Sequence, residues 1–217
     1  MRASLLLGAL VLGASADAVW TFDSDPPGRA PAAFTYRVTR DSAPARWIVQ
    51  REGTNGFLAH AGDPPAKGGF SLAILDDQPR SPLALSARMR LAGQKGEMGI
   101  AWRVQDANNY YLARLDVEGS EQDIALYRIV NGNRVRVDGE DDLELDRAAW
   151  HTIKIVQEDD TIRVYLGGIR VLRARDRTFG KPGGVALWCT GEAVAHFDDL
   201  RVGQEKESAN ARDDRRR

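Results

Sequence analysis

Apolar and polar residues alternate with a period of two along most of the chain, the spacing of strands that bury one face. The clear runs cover residues 83–91, 99–104, 110–117, 124–130, 152–156, 162–166, 185–189 and 197–202, with fainter ones at 34–38, 47–50, 57–60 and 70–74. No segment of useful length has helical spacing, and residues 143–149 hold at most one helical turn. Turn chemistry falls between the runs. Gly167-Gly168 separates two alternating stretches, and Asn131-Gly132-Asn133 does the same, both being residues that accept positive φ in tight hairpins. Asp106 to Asn109 and Glu158 to Asp160 are polar connections of hairpin length. The pattern predicts about a dozen short antiparallel strands without crossover helices. The fold class is therefore all-β, an antiparallel two-sheet β-sandwich or jelly roll.

The two ends depart from this pattern. After Met1-Arg2 comes the apolar run Leu5 to Gly13, too short to span a bilayer, and then Ala14-Ser15-Ala16 and Ala16-Asp17-Ala18, both of the A-x-A form. Residues 1–18 read as an export signal, cleaved after Ala16 or Ala18, and residues 19–203 as the sandwich domain. Residues 204–217 are densely charged, lack apolar anchors and read as a disordered tail. An exported, periplasmic or extracellular protein with no transmembrane segment is expected. The lone Cys189 rules out an internal disulfide and a Cys/His zinc cluster, and it alternates with Val185 and Leu187 as a buried thiol would.

Composition narrows the partners. The 217 residues carry 30 Lys plus Arg against 31 Asp plus Glu, a net charge of -1. There is no basic surplus for nucleic acid or for an anionic membrane surface. With 43% hydrophobic and 28% charged residues the chain is ordinary globular material.

A series of motifs runs through the strands. It begins with Gly99-Ile100-Ala101-Trp102-Arg103-Val104 and Asn108-Asn109-Tyr110-Tyr111-Leu112-Ala113-Arg114-Leu115-Asp116. Leu126-Tyr127-Arg128, Trp150-His151-Thr152 and Ile162 to Leu166 follow, then Gly183-Gly184-Val185-Ala186-Leu187-Trp188 and Phe197-Asp198-Asp199-Leu200. The series resembles the concanavalin A-like lectin/glucanase superfamily, most nearly its bacterial laminin-G-like and 3-keto-disaccharide-hydrolase-like (domain of unknown function 1080) members. The resemblance implies a two-sheet jelly roll with one concave sheet and dealings with glycans. Two features depart from it. Gly167-Gly168 stands where these proteins often have Asp-Gly, and Trp20 to Asp25 replaces the Phe-Asn-Gly-Lys opening of the hydrolase-like group.

Splitting each run by parity suggests a binding face. Met98, Ile100, Trp102 and Val104 read as core, as do Tyr111, Ala113, Leu115 and Val117, together with Tyr127, Ile129, Val185, Leu187 and Cys189. If these strands share a sheet, its other face carries Arg103, Tyr110, Arg114, Asp116, Arg128 and Trp188 over small residues such as Gly99 and Ala186. Such a groove suits a glycan: Trp188 or Tyr110 would stack on a sugar ring while the arginines donate and Asp116 accepts. Three arginines would also favour a uronate or sulfated sugar.

Catalytic signals are sparse. The Glu-x-Asp-x-x-Glu motif of lectin-like glucanases is absent, as is a G-x-S-x-G elbow. His60, His151 and His196 are scattered, and His196 with Asp198 forms an i, i+2 pair. Asp23 and Asp25 with Asp198 and Asp199 would suit a structural Ca²⁺ if the terminal strands pair. Non-catalytic glycan binding leads, beside two alternatives: a glycoside or 3-keto-glycoside hydrolase, and an envelope interaction module without a small ligand.

Overall fold

The computed structural model describes residues 18–40, 46–61, 69–75, 83–119 and 121–204. Of the expected export signal (1–18) and charged tail (204–217), residues 1–17 and 205–217 lie outside the described residues. The described chain forms fifteen strands and no helix. In order they are β1 (Ala18–Trp20), β2 (Phe34–Val38), β3 (Trp47–Glu52), β4 (Asn55–Ala61), β5 (Phe70–Leu75), β6 (Leu83–Leu91), β7 (Met98–Asp106) and β8 (Asn109–Asp116). Then come β9 (Asp123–Val130), β10 (Asn133–Glu140), β11 (His151–Glu158), β12 (Thr161–Leu166), β13 (Ile169–Arg175), β14 (Gly184–Thr190) and β15 (Val194–Gly203). Every periodic run of the sequence is a strand. The three-residue β1 is too short to show a period.

Two antiparallel sheets result. One has the order β13-β12-β11-β6-β15-β4-β3, with β1 pairing β15, and the other β10-β9-β8-β7-β14-β5-β2. The hairpin signals hold: Gly167 and Gly168 have φ of 58° and 87°, and Asn131 and Gly132 have 50° and 76°. Positive φ at both central residues matches the twist of the flanking strands.

The facing sides of the sheets bury one core. Leu85, Ala87 and Met89 of β6 and Ile153 and Ile155 of β11 meet Ile100 and Trp102 of β7, Tyr111 and Leu115 of β8, and Leu187 of β14. Along β6 the eight-stranded sheet is buried on one side, so this strand alternates buried and half-buried, whereas β4 and β15 are buried on consecutive positions. The seven-stranded sheet differs. Its β14 is buried at all seven positions, because a second apolar cluster covers its other side: Phe70, Leu72, Ile74, Ala101, Tyr110, Leu112, Ile129, Ala186 and Trp188. Strands buried on both faces lose the clean alternation that one wet face produces.

This sheet is rolled. β10 and β5 stand five strand spacings apart in the sheet order, about 24 Å on a flat sheet at ~4.8 Å per spacing. Yet the Arg134 guanidinium of β10 lies 4.4 Å from the Phe70 ring of β5. No arginine spans the flat distance, so the sheet curls until its far sides meet and its outer face is concave. At one end the curl is tied shut. Thr39 Oγ1 meets Tyr110 Oη at 3.0 Å and donates to the Ala107 carbonyl at 2.8 Å, while Arg40 donates to Asn108 and Asn133.

Two parity assignments change. A bulge in β7 places Arg103 at φ 48°, and pairing shifts so that Gly184 faces Val104 while Val185 faces Trp102. The extra residue turns Val104 onto the concave side, away from the shared core. In β9, Ile124 and Leu126 belong to the shared core, whereas Ile129 and Tyr127 lie with the concave cluster. Arg128 therefore faces inward at the sandwich end, opposite to the expectation. Hydropathy misled here because both sides of β9 are apolar.

Gly99 is where β7 and β8 approach too closely for a side chain: a Cβ there would sit 2.3 Å from the Ala113 carbonyl oxygen. Gly99→Ala should lower the unfolding free energy by about 1–3 kcal/mol, the usual cost of overpacking. Urea denaturation of the variant beside the parent measures it, and unchanged stability would mean that the two strands are further apart.

Candidate functional site

The six residues expected on one face separate into two groups. Tyr110, Arg114, Asp116 and Trp188 do share the concave side, through the cross-strand pairs Trp188 with Gly99 and Gly99 with Arg114. Arg103 and Arg128 do not. The bulge carries Arg103 toward β11, where its Nε donates to Gln157 Oε1 at 3.1 Å. Arg128 donates to Asp176 Oδ2 at 2.6 Å.

Trp188 and Tyr110 are not an open platform. Both are 0% exposed. The indole N–H donates to the Tyr110 hydroxyl at 3.1 Å, Phe70 packs on the indole at 5.1 Å, and the Arg134 guanidinium lies 5.4 Å from its ring centre. Burial pushes the Tyr110 hydroxyl up to about 12. The closed half of the curl is thus an apolar plug beneath an arginine.

The other half is open and polar. Two adjoining hollows of about 410 and 340 Å³ share Glu97 and Asp116. At their centre Arg114 donates to both oxygens of Asp123 at 2.6 and 2.8 Å and to Tyr127 Oη at 2.9 Å, with Asp116 and Glu97 each at 3.3 Å. Arg134 grips Glu97 with a second fork at 3.1 and 2.6 Å. Burial opposes the charge on Arg114, but Glu97, Tyr127 and Asp123 together outweigh it and hold its pKa above the usual value. Asp123 is raised by burial, with Arg114 pulling the other way. The hollows are lined by eight carboxylates (Glu97, Asp116, Glu118, Glu121, Asp123, Asp141, Asp142 and Glu192) against the two guanidinia. The expected arginine-rich trough is in fact acidic.

Sequence parity missed Glu97, Asp123 and Arg134. Asp116 and Asp123 are cross-strand partners in the β8–β9 hairpin, and the acids flanking that turn were the available signal. Glu97 precedes β7, and Arg134 reaches the site only through the curl.

At the sandwich end Asp176 anchors a tight network. Its Oδ1 accepts from Tyr111 Oη at 2.6 Å and from the Thr178 N–H at 2.7 Å, and its Oδ2 from Arg128. Burial disfavours its charge, but these donors prevail and hold its pKa at about 2.

The opposite sheet carries His196. The ring lies 4.4 Å from Phe57, and its Nδ1 is 3.1 Å from Arg90, which also pairs with Glu52. Arg88 and Arg90 cover Trp150 at 5.0 and 4.9 Å. Asp198 accepts from Asn55 at 3.2 Å rather than from His196, and burial raises its pKa. The pair is therefore not a relay. Asp23 accepts from the Gly56 N–H, and Asp199 pairs with Arg88. Among the described residues no three His, Cys, Asp or Glu side chains form a group fit for a metal ion.

No protein-family model and no curated protein matches the chain. Solved structures do. The carbohydrate-binding module CBM66 from Bacillus subtilis is 18% identical, with a TM-score of 0.61 over 76% of this chain and 92% of that one. The Bacillus licheniformis beta-glucanase is 11% identical, with a TM-score of 0.59 over 87% and 98%. A prokaryotic beta-1,3-1,4-glucanase (lichenase) derived from a mouse hindgut metagenome is 13% identical, with a TM-score of 0.57 over 86% and 98%. The architecture is thus a two-sheet antiparallel jelly roll like theirs. At 11–18% identity the likeness speaks for the shared fold alone.

Burial, then Arg90, lowers the His196 pKa to about 4 from 6.5. The unfolded chain binds this proton first, so stability is complete above pH 6.5 and falls as the pH drops toward 4. Denaturation across that window should show the loss, and His196→Phe, which cannot take up the proton, should flatten the slope. An equal slope in the variant would remove His196 as its source.

Proposed function

We propose that this protein is an exported glycan-binding β-sandwich that holds a neutral sugar chain in the open half of the concave face. The observation that carries the reading is the chemistry of that half. Its guanidinia are already engaged by carboxylates, while the surplus carboxylate oxygens are acceptors for sugar hydroxyls. Tyr127, half-buried at the edge of the polar cluster, offers apolar contact to a ring. Eight carboxylates against Arg114, Arg134 and the Arg136 that pairs with Asp141 leave an acidic surplus that repels a uronate or a sulfate, which reverses the preference inferred from three arginines on one face. The jelly-roll likeness to a carbohydrate-binding module and to glucanases supports a glycan as the ligand.

One observation favours hydrolysis as a second reading. Asp116 and Asp123 face each other across the β8–β9 hairpin, and the raised pKa of Asp123 suits a proton donor. The resemblance to 3-keto-disaccharide hydrolases belongs with this reading.

Calorimetry with neutral β-glucan oligosaccharides separates the two. Binding should weaken at least tenfold in Glu97→Gln and Asp116→Asn while melting temperatures stay close to the parent. Sulfated and uronate oligosaccharides should not bind. Binding that ignores both substitutions would remove the concave face as the site. Release of reducing ends, lost in Asp123→Asn, would establish the second reading over the first.

Export is part of the proposal, and β1 bears on where the signal is cut. Ala18 pairs with Val202. Cleavage after Ala16 keeps this strand whole, whereas cleavage after Ala18 shortens it. N-terminal sequencing of the secreted product should begin at Asp17; a start at Val19 would show that β1 is dispensable.

A further inference from the structure

We infer that the end of the sandwich where Arg103 emerges is a second ligand site, separate from the concave face, and that it takes a single neutral sugar ring such as the end of a glycan chain.

Arg103 sits at φ 48°, a region costing a branched-free but Cβ-bearing residue on the order of 1 kcal/mol or more. A bulge that only ends strand pairing has no need of arginine, and glycine would adopt the same turn freely. What the bulge achieves is to re-aim a guanidinium out of the sheet and into the gap between the sheets, a common use of bulges beside sites. The side chain is then clamped. Its Nε shares Gln157 Oε1 with the Trp102 indole N–H, at 3.1 and 2.8 Å. Its Nη1 donates to the carbonyls of Gly180 and Lys181 at 3.3 and 3.1 Å. Nη2 makes no hydrogen bond to the described residues. One donor of a fixed fork is left over for something else.

That fork borders a cavity of about 540 Å³, between the β11–β12 turn and the segment after β13. Small-molecule sites run from about 300 to 1,000 Å³. Its charges balance: Arg103 and Arg177 stand against Asp159 and Asp160, while Asp176 is spent on Arg128 and Tyr111. An anion entering here meets two carboxylates, and a cation meets two guanidinia. A neutral ligand with both donors and acceptors satisfies the walls without an unpaired charge. Phe179 adds an apolar wall, half-buried and fixed edge-on to Tyr111 at 5.0 Å, with its N–H on the Tyr111 hydroxyl at 3.2 Å. A ring bearing hydroxyls on its rim and C–H groups on its face combines these requirements. The walls are set before any ligand arrives, because the Asp176 network fixes the segment that carries Phe179, which lowers the ordering cost of binding.

The five tryptophans allow one experiment to read both sites. The Trp102 indole reports on Gln157 and Arg103, and the Trp188 indole reports on the concave face through Arg134, which lies over its ring and holds Glu97. ¹H–¹⁵N spectra of the mature protein would be recorded during titration with glucose, galactose, mannose and xylose, and with glucuronate and glucosamine as charged counterparts. At least one neutral sugar should move the Trp102 resonance saturably, with Trp188 still, and the charged pair should bind at least tenfold more weakly. Phe179→Ala and Arg103→Gly should each abolish the shift; Glu97→Gln should leave it intact. A Trp102 resonance unmoved by all four neutral sugars would overturn the proposal, as would a shift that survives both substitutions or one larger with a charged sugar. Trp102 and Trp188 moving together, with both shifts lost in Glu97→Gln, would leave the concave face as the sole site. Failure of the concave-face reading alone would show as a Trp188 resonance unmoved by neutral β-glucan oligosaccharides, beside a Trp102 resonance that responds to a monosaccharide. Arg103→Gly also relieves the backbone strain, so a folded spectrum for that variant separates loss of ligand from loss of fold.

Discussion

The curl of the seven-stranded sheet governs what either face of it can do. An antiparallel sheet in a sandwich normally keeps one side wet. Here the roll brings Arg134 of one side over Phe70 of the other, and the inner surface of the curl becomes a second, smaller core. Trp188 and Tyr110, which an open sheet would display, are consumed in that core. The curl divides its own concave face into a sealed apolar half and an open polar half, and the boundary runs where Arg134 and Arg114 both reach Glu97.

A single extra residue in β7 decides the rest. Without the bulge at Arg103, strict alternation would place this guanidinium beside Ala101 on the concave side and leave the Trp102 indole alone on Gln157. With it, two consecutive side chains turn toward β11 and share one acceptor. The bulge thereby ties the seven-stranded sheet to the β11 hairpin across the sandwich and takes a positive charge away from a face that is otherwise acidic. The same local irregularity shapes the electrostatics of two surfaces at opposite sides of one sheet.

The sequence was legible where one period and one buried face coincide. β6 and β12 could be read directly, and so could the Gly167-Gly168 and Asn131-Gly132 turns, because each signal is local. Parity also placed Tyr110, Arg114 and Asp116 on a common side. It failed at Arg103, because a bulge inserts a residue without any mark in hydropathy. It failed at Arg128, because Tyr127 and Ile129 are apolar for the sake of a second core that no local pattern announces. Glu97 and Arg134 were out of reach for a different reason: they meet only when the sheet is rolled, and curvature is a property of strands acting together. The acid pair Asp116 and Asp123 lies between these cases, since a hairpin of that length makes them neighbours once the register is known.

The polar cluster around Arg114 is itself an argument that the open half serves a ligand. Replacing a buried ion network by well-packed apolar side chains is often neutral or stabilising, since the charges must first be stripped of water. Apolar packing was available, for Leu112, Ala125 and Ile129 already tile the same sheet with no exposure. Arg114 instead keeps three carboxylates and a tyrosine hydroxyl fixed around it, with its own Nε buried and without a partner. Stability alone does not ask for that arrangement. It makes sense as a way to hold acceptor oxygens at set positions facing water, where a ligand rich in hydroxyls can replace the solvent without the protein having to reorganise.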